Sequence, residues 1–147
     1  MASKEIEDTC TYIRDKWEEI KRDFIEASPG KYLALTTTHR TPREQFELYK
    51  QGRTMGVDGK WYVQDKAKIV TNVDGTDVVG AHNYYPSRAI DVAVVDNQTG
   101  KYLWDEKWYA PLGAIAKYYN LTWGGDWKSI KDFPHLEVPN YREYQEV

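Results

Sequence analysis

The segment Arg88-Ala89-Ile90-Asp91-Val92-Ala93-Val94-Val95 constrains this chain more than any other stretch. Its apolarity is nearly continuous and mostly β-branched, which predicts a strand buried on both faces at the centre of a sheet. One carboxylate, Asp91, interrupts it. Burying a bare charge costs several kcal/mol, so Asp91 must be paired with a base such as Arg88 or bound to a metal ion.

The flanking patterns supply the rest of the architecture. Ile6, Cys10, Ile13, Trp17, Ile20 and Phe24 step by 4, 3, 4, 3, 4. That period predicts one amphipathic helix over roughly residues 4–26, stopped by Ser28-Pro29-Gly30. Cys10, the only cysteine, falls on the apolar face, where a buried, inert thiol is expected. Tyr32 to Thr38 reads as a strand. Thr41-Pro42-Arg43-Glu44 carries a capping Thr, a Pro at the first helical position and a reciprocal Glu, so a second helix starts there and ends by Gly52. Val57-Asp58-Gly59-Lys60 before Trp61-Tyr62-Val63 predicts a small hairpin, and Ile69 to Thr71 another short extended piece. Tyr102 to Trp104 returns beside the central strand. Leu112, Ile115, Ala116 and Tyr119 mark a third helix closed by Asn120. Thr122-Trp123 and His135 to Val138 are short strands separated by a Gly124–Trp127 loop.

The expected fold class is α+β, with a small, mainly antiparallel sheet and about three helices in a single compact domain, 1–147. Within it, residues 1–30 hold the N-terminal helix, 53–80 form a loop-rich insertion and 139–147 a polar surface tail. The length of 147 residues suits one core. A net charge of −3 argues against nucleic acid as a partner. No apolar run reaches the ~18–20 residues of a membrane span, so no membrane insertion is expected. The start MASKEIEDTC is charged and lacks a signal peptide's apolar region, from which synthesis in the cytoplasm is expected.

The chain has three histidines, His39, His82 and His135. His82 and His135 with Asp91 would make a zinc set of two imidazoles and one carboxylate with an open fourth position, the catalytic pattern. Such chemistry needs a second carboxylate to take a proton, and Asp132 stands three residues before His135. Asp74 and Asp77 also form an oxygen-rich stretch, read here as solvated turn acids because the spacing is not that of an EF-hand.

Three blocks carry a family resemblance: His82-Asn83-Tyr84-Tyr85-Pro86-Ser87-Arg88-Ala89-Ile90-Asp91, Trp123-Gly124-Gly125-Asp126-Trp127 and Asp132-Phe133-Pro134-His135-Leu136-Glu137. With THRTPREQFELYKQGRT, which begins in the Thr36–Thr38 run, and KIVTN at 68–72, they resemble the zinc peptidases that cut peptidoglycan stem peptides. That family comprises D-alanyl-D-alanine carboxypeptidases and L-alanyl-D-glutamate endopeptidases, and its short members include bacteriophage endolysins.

The resemblance implies one Zn2+ per chain on His82, Asp91 and His135, with Asp132 as general base and then acid. It implies that Arg40 faces the scissile carbonyl or a substrate carboxylate and that Gln45 holds Arg40 or the substrate; Glu137 is the rival base, read here as orienting a ligand imidazole. Tyr84, Tyr85, Trp123 and Trp127 are candidate groove residues. Gly80 stands where the family often has Ser, the His82–Asp91 spacing is about two residues longer than the common form, and residues 55–66 look inserted.

The expected activity is L-alanyl-D-glutamate endopeptidase. The alternatives are D-alanyl-D-alanine carboxypeptidase and, in another class, a non-catalytic zinc domain that binds the wall. A monomeric endolysin, made in the host cytoplasm and acting on the bacterial cell wall, completes the expectation.

Overall fold

The structure, a computed structural model, describes residues 1–146; Val147 lies outside the described residues. In chain order, α1 spans Thr11–Arg14, α2 Trp17–Ala27, β1 Lys31–Thr37, α3 Pro42–Tyr49, β2 Arg53–Met55 and β3 Trp61–Val63. There follow β4 Ala89–Asp96, β5 Tyr102–Leu103, α4 Ala110–Tyr118, β6 Thr122–Trp123 and β7 His135–Glu137. Five strands form an antiparallel sheet in the order β1-β4-β7-β6, with β5 also on β4, and β2-β3 is a separate hairpin. The α+β class and the central place of the 88–95 segment are as the sequence predicts.

The two faces of β4 go to different uses, because successive side chains point to opposite sides. Ile90, Val92 and Val94 join Leu33, Leu136, Ile20, Phe24, Leu112 and Ala116 in one core beneath α2 and α4. Asp91 belongs to the other face, and the register sets it beside His135 of β7 and Thr37 of β1. A register irregularity between Leu35 and Thr37 ends the regular β1 ladder at that level.

The N-terminal helix differs from expectation. Residues 4–26 form a 3-10 turn at Ile6–Asp8, then α1 and α2, rather than one helix. Backbone pairing is the reason. Thr9 bridges Ser87, the Cys10 N–H donates to the Ser87 carbonyl at 2.8 Å, and the Ser87 N–H donates to the Asp8 carbonyl at 2.7 Å. Those groups cannot also serve a helix. The apolar stripe survives the break, with Cys10, Ile13, Trp17, Ile20 and Phe24 all buried; burial also pushes the Cys10 thiol up.

The capping box forms as read: the Glu44 N–H donates to Thr41 Oγ1 and the Thr41 N–H to Glu44 Oε1. The Ile69–Thr71 segment makes no ladder. Its Thr71 carbonyl instead accepts from Arg53 Nη1, and the stretch becomes a wall of the cavity described below. Gly124–Asp126, expected as loop, is a 3-10 turn. The 139–146 tail is anchored rather than free. The Tyr141 carbonyl accepts from Arg88, Tyr144 packs against the core, and Glu146 accepts from the Thr11 N–H.

Candidate active site

The face of the sheet that carries Asp91 opens into a cavity of about 750 Å3. Its walls come from the loop after β1 and α3 (Arg40, Gln45, Leu48), residues 69–73, residues 80–82, the 127–132 loop and the tail at Tyr141 and Arg142. Asp91, His135 and Glu137 line it from the sheet.

His82 sits in a 3-10 turn, Ala81–Asn83, pinned where the Arg40 N–H donates to its carbonyl and the Arg88 N–H to that of Ala81. Its Nδ1 lies 2.7 Å from the Thr38 carbonyl oxygen. A carbonyl can only accept, so Nδ1 carries a proton and Nε2 is the ring nitrogen left to face the cavity. That Nε2 is buried, has no hydrogen-bond partner, and lies 3.1 Å from Asp91 Oδ1.

His135 approaches the same oxygen from β7, with Nδ1 2.9 Å from Asp91 Oδ1. Its Nε2 is 2.7 Å from Glu137 Oε1, so Glu137 fixes that edge of the ring as a donor. The two imidazoles meet edge to face at 5.1 Å, and Trp127 lies against His135 at 4.9 Å. One donor atom each from His82, Asp91 and His135 falls within 4.8 Å of the others, a set able to hold a metal ion. Two imidazoles and a carboxylate suit zinc in particular. An orphaned, buried Nε2 aimed at a carboxylate oxygen is what a cation between them would satisfy.

The electrostatics follow from this crowding. Burial pushes the Asp91 carboxyl up, yet the charges and hydrogen bonds of His82 and His135 outweigh it and hold Asp91 well below the usual carboxylate range. Burial likewise disfavours a charged His135, but its bonds to Asp91 and Glu137 lift it to about 10. Asp132, 43% exposed with Oδ2 3.9 Å from His135 Nδ1, is pushed up by burial and then by the negative charge of Asp91. Such a carboxylate holds a proton more readily than an ordinary one.

Arg40 is anchored from two sides. Its Nη2 lies 3.7 Å from Asp91 Oδ2, and Nη1 donates to Gln45 Oε1 at 2.9 Å. Gln45 is 4% exposed and donates through Nε2 to the Val73 carbonyl. Arg88, the alternative partner for Asp91, is turned away to the Tyr141 carbonyl and the Tyr84 ring.

Of the four aromatic residues expected in the groove, only Trp127 lines the cavity; Tyr85 instead donates through its hydroxyl to Asp8 Oδ1. Tyr84 does not: it is sandwiched against the Arg88 guanidinium and Tyr141. Trp123 does not either. Its Nε1 donates to the Phe133 carbonyl, and its ring packs so tightly on Gly113 and Gly125 that a Cβ at either would collide with it.

The sequence pattern does not single out Asn83, whose Nδ2 donates to the Arg40 carbonyl at 3.0 Å and lies 3.3 Å from Gln45 Oε1. Its place directly after His82 is the one signal that could have found it. Thr38, Tyr141 and Arg142 also belong to the site, and nothing local marks them. Asp74 caps its own turn, accepting from the Thr76 and Val78 N–H groups.

A family model described as D-alanyl-D-alanine carboxypeptidase matches residues 75–138. The peptidoglycan L-alanyl-D-glutamate endopeptidase CwlK of Bacillus subtilis (strain 168) is 37% identical over 124 residues, which cover 78% of this chain and 65% of the relative. The chain thus spans just under two thirds of that curated relative's length. The crystal structure of the Serratia marcescens L-Ala D-Glu endopeptidase ChiX superposes with a TM-score of 0.53 at 16% identity, over 95% of this chain and 86% of that one. At that identity the likeness is one of fold.

Proposed function

We propose that the chain is a zinc peptidase acting on peptidoglycan and that it hydrolyses the L-alanyl-D-glutamate bond of the stem peptide, a reading supported by the family model over residues 75–138 and by the likeness to CwlK. The observation that carries the reading is the convergence of His82, Asp91 and His135 on one point, in a cavity that Asp132 and Arg40 also line.

In this reading His82 Nε2, Asp91 and His135 Nδ1 would hold one zinc ion. Bound there, zinc supplies Lewis acidity, which polarises a carbonyl and brings the pKa of water down to about 7. Asp132 accepts the proton of the attacking water and returns it to the amine that leaves as the C–N bond breaks. Arg40, held by Gln45, donates to the oxygen on which negative charge develops, a role typically worth ~3–4 kcal/mol for a well-placed donor. The Thr38 carbonyl and Glu137 keep the two imidazoles in the tautomers that leave lone pairs facing the ion. Trp127 excludes water from one side of His135.

A second reading, D-alanyl-D-alanine carboxypeptidase, is favoured by the description of the matching family model. Mass spectrometry of products from a defined stem peptide, with and without a chelator, separates the two. Chelator-sensitive scission between L-Ala and D-Glu is expected; release of free D-alanine without that cut would overturn the assignment. The finer proposal, a monomeric bacteriophage endolysin, draws on the resemblance to short members of the family. It predicts that the purified chain lyses permeabilised bacterial cells, and intact turbidity despite cleaved stem peptide would count against it.

A further inference from the structure

The cavity is lined by three cations, Arg40, Lys131 and Arg142, and three carboxylates, Asp91, Asp132 and Glu137. Most of these charges are committed. Asp91 and Glu137 hold histidines, and Arg40 is shared between Asp91 and Gln45. Among the described residues, Lys131 and Arg142 have no carboxylate within ion-pair distance. The uncommitted charge on the walls is therefore positive, apart from Asp132.

Of the two, Arg142 is the one held in place. Its Nη2 donates to the Val79 carbonyl at 3.3 Å, and its guanidinium lies over the Tyr141 ring at 4.7 Å. Tyr141 is itself tied down through its carbonyl to Arg88. A guanidinium has five N–H donors in a planar fork that matches a carboxylate, and a group already fixed loses less entropy on binding one. Lys131 is exposed, as Arg142 is, but it is a point charge on a flexible stem with no such hydrogen bond or ring contact among the described residues.

The proposed scissile bond has a glutamyl residue on its amine side. Glutamate carries two carboxyl groups, and a peptide chain continues through one of them. The other is left as a free carboxylate or as a neutral amide. We propose that Arg142 recognises that free carboxylate and makes the enzyme selective for the acid over the amide. The inference rests on the stem-peptide reading above and extends it to a specificity-determining residue.

The test uses two stem peptides, identical except that the glutamyl carboxyl outside the chain is free in one and a carboxamide in the other. Wild type, R142Q, R142K and the distant surface variant K117Q are assayed in the zinc-loaded state. Wild type is expected to favour the acid by about tenfold or more in kcat/KM, the scale of a charge-assisted hydrogen bond. R142Q should erase the preference by raising KM for the acid about tenfold or more while changing kcat/KM for the amide far less. R142K should restore part of it, and K117Q should behave as wild type. Equal cleavage of both peptides by wild type, or an equal loss on both in R142Q, would overturn the role of Arg142. Wild type failing to cut either peptide at the Ala–Glu bond would instead overturn the underlying assignment, and this proposal with it.

Discussion

At the residue scale, the site depends on which nitrogen of each imidazole is left free. Glu137 decides this for His135 by accepting from Nε2. Glu137→Gln should therefore weaken zinc binding about 10–100-fold, as read by competition with a chromogenic chelator, and an unchanged affinity would refute the role. Proton linkage gives a second prediction. His135 has its pKa raised to about 10 in the folded chain, against about 6.5 when unfolded. A raised pKa contributes stability that is fully present below the unfolded value and is lost as pH rises through the folded one. The chelator-treated chain should thus lose melting temperature between about pH 6.5 and pH 10, whereas zinc displaces that proton and the loaded chain should not follow the same course. Parallel curves would contradict this. The cluster of His82, Asp91 and His135 was legible because a lone Asp in an apolar strand is costly and few histidines compete for it. Arg142 was not, since a single Arg in a polar tail carries no local pattern.

At the element scale, local chemistry and long-range pairing had unequal visibility. The α3 start was legible because capping, Pro placement and the reciprocal Glu all lie within four residues. Thr41→Ala should cost about 1 kcal/mol, measurable as a shift in the urea midpoint at constant slope. The break at Thr9-Cys10 was not legible, because its cause is Ser87, distant in sequence. The Gly124-Gly125 turn has a structural demand that composition alone does not reveal. A Cβ on Gly124 would run into the Asp132 carbonyl oxygen and come within 3.0 Å of His135 Cβ. Gly124→Ala should destabilise the fold by about 1–3 kcal/mol and displace the proposed base, so hydrolysis should fall further than zinc content. Wild-type activity in that variant would show that the loop tolerates the shift.

At the scale of the whole molecule, one sheet separates stability from chemistry. The helices cover the face bearing Ile90, Val92 and Val94, and the opposite face holds Asp91 in a cavity closed by loops and the tail. The single carboxylate of Asp91 in an otherwise apolar 90–95 run makes this division readable in outline. Which loops close the cavity was not readable, because residues 69–73, 127–132 and 141–142 meet only in the folded chain. That is also why Tyr84 and Trp123, aromatic and close to the ligands in sequence, turn out to pack elsewhere.

The central claim is that His82, Asp91 and His135 share one ion while Asp132 stays outside it. Zinc content of the purified chain, beside that of H82A, D91N, H135A and D132N, tests this most directly. About one zinc per chain is predicted for wild type and D132N, near zero for the other three, and hydrolysis in D132N reduced by about a hundredfold or more. Full zinc occupancy in the His82, Asp91 and His135 variants, or none in wild type, would contradict it.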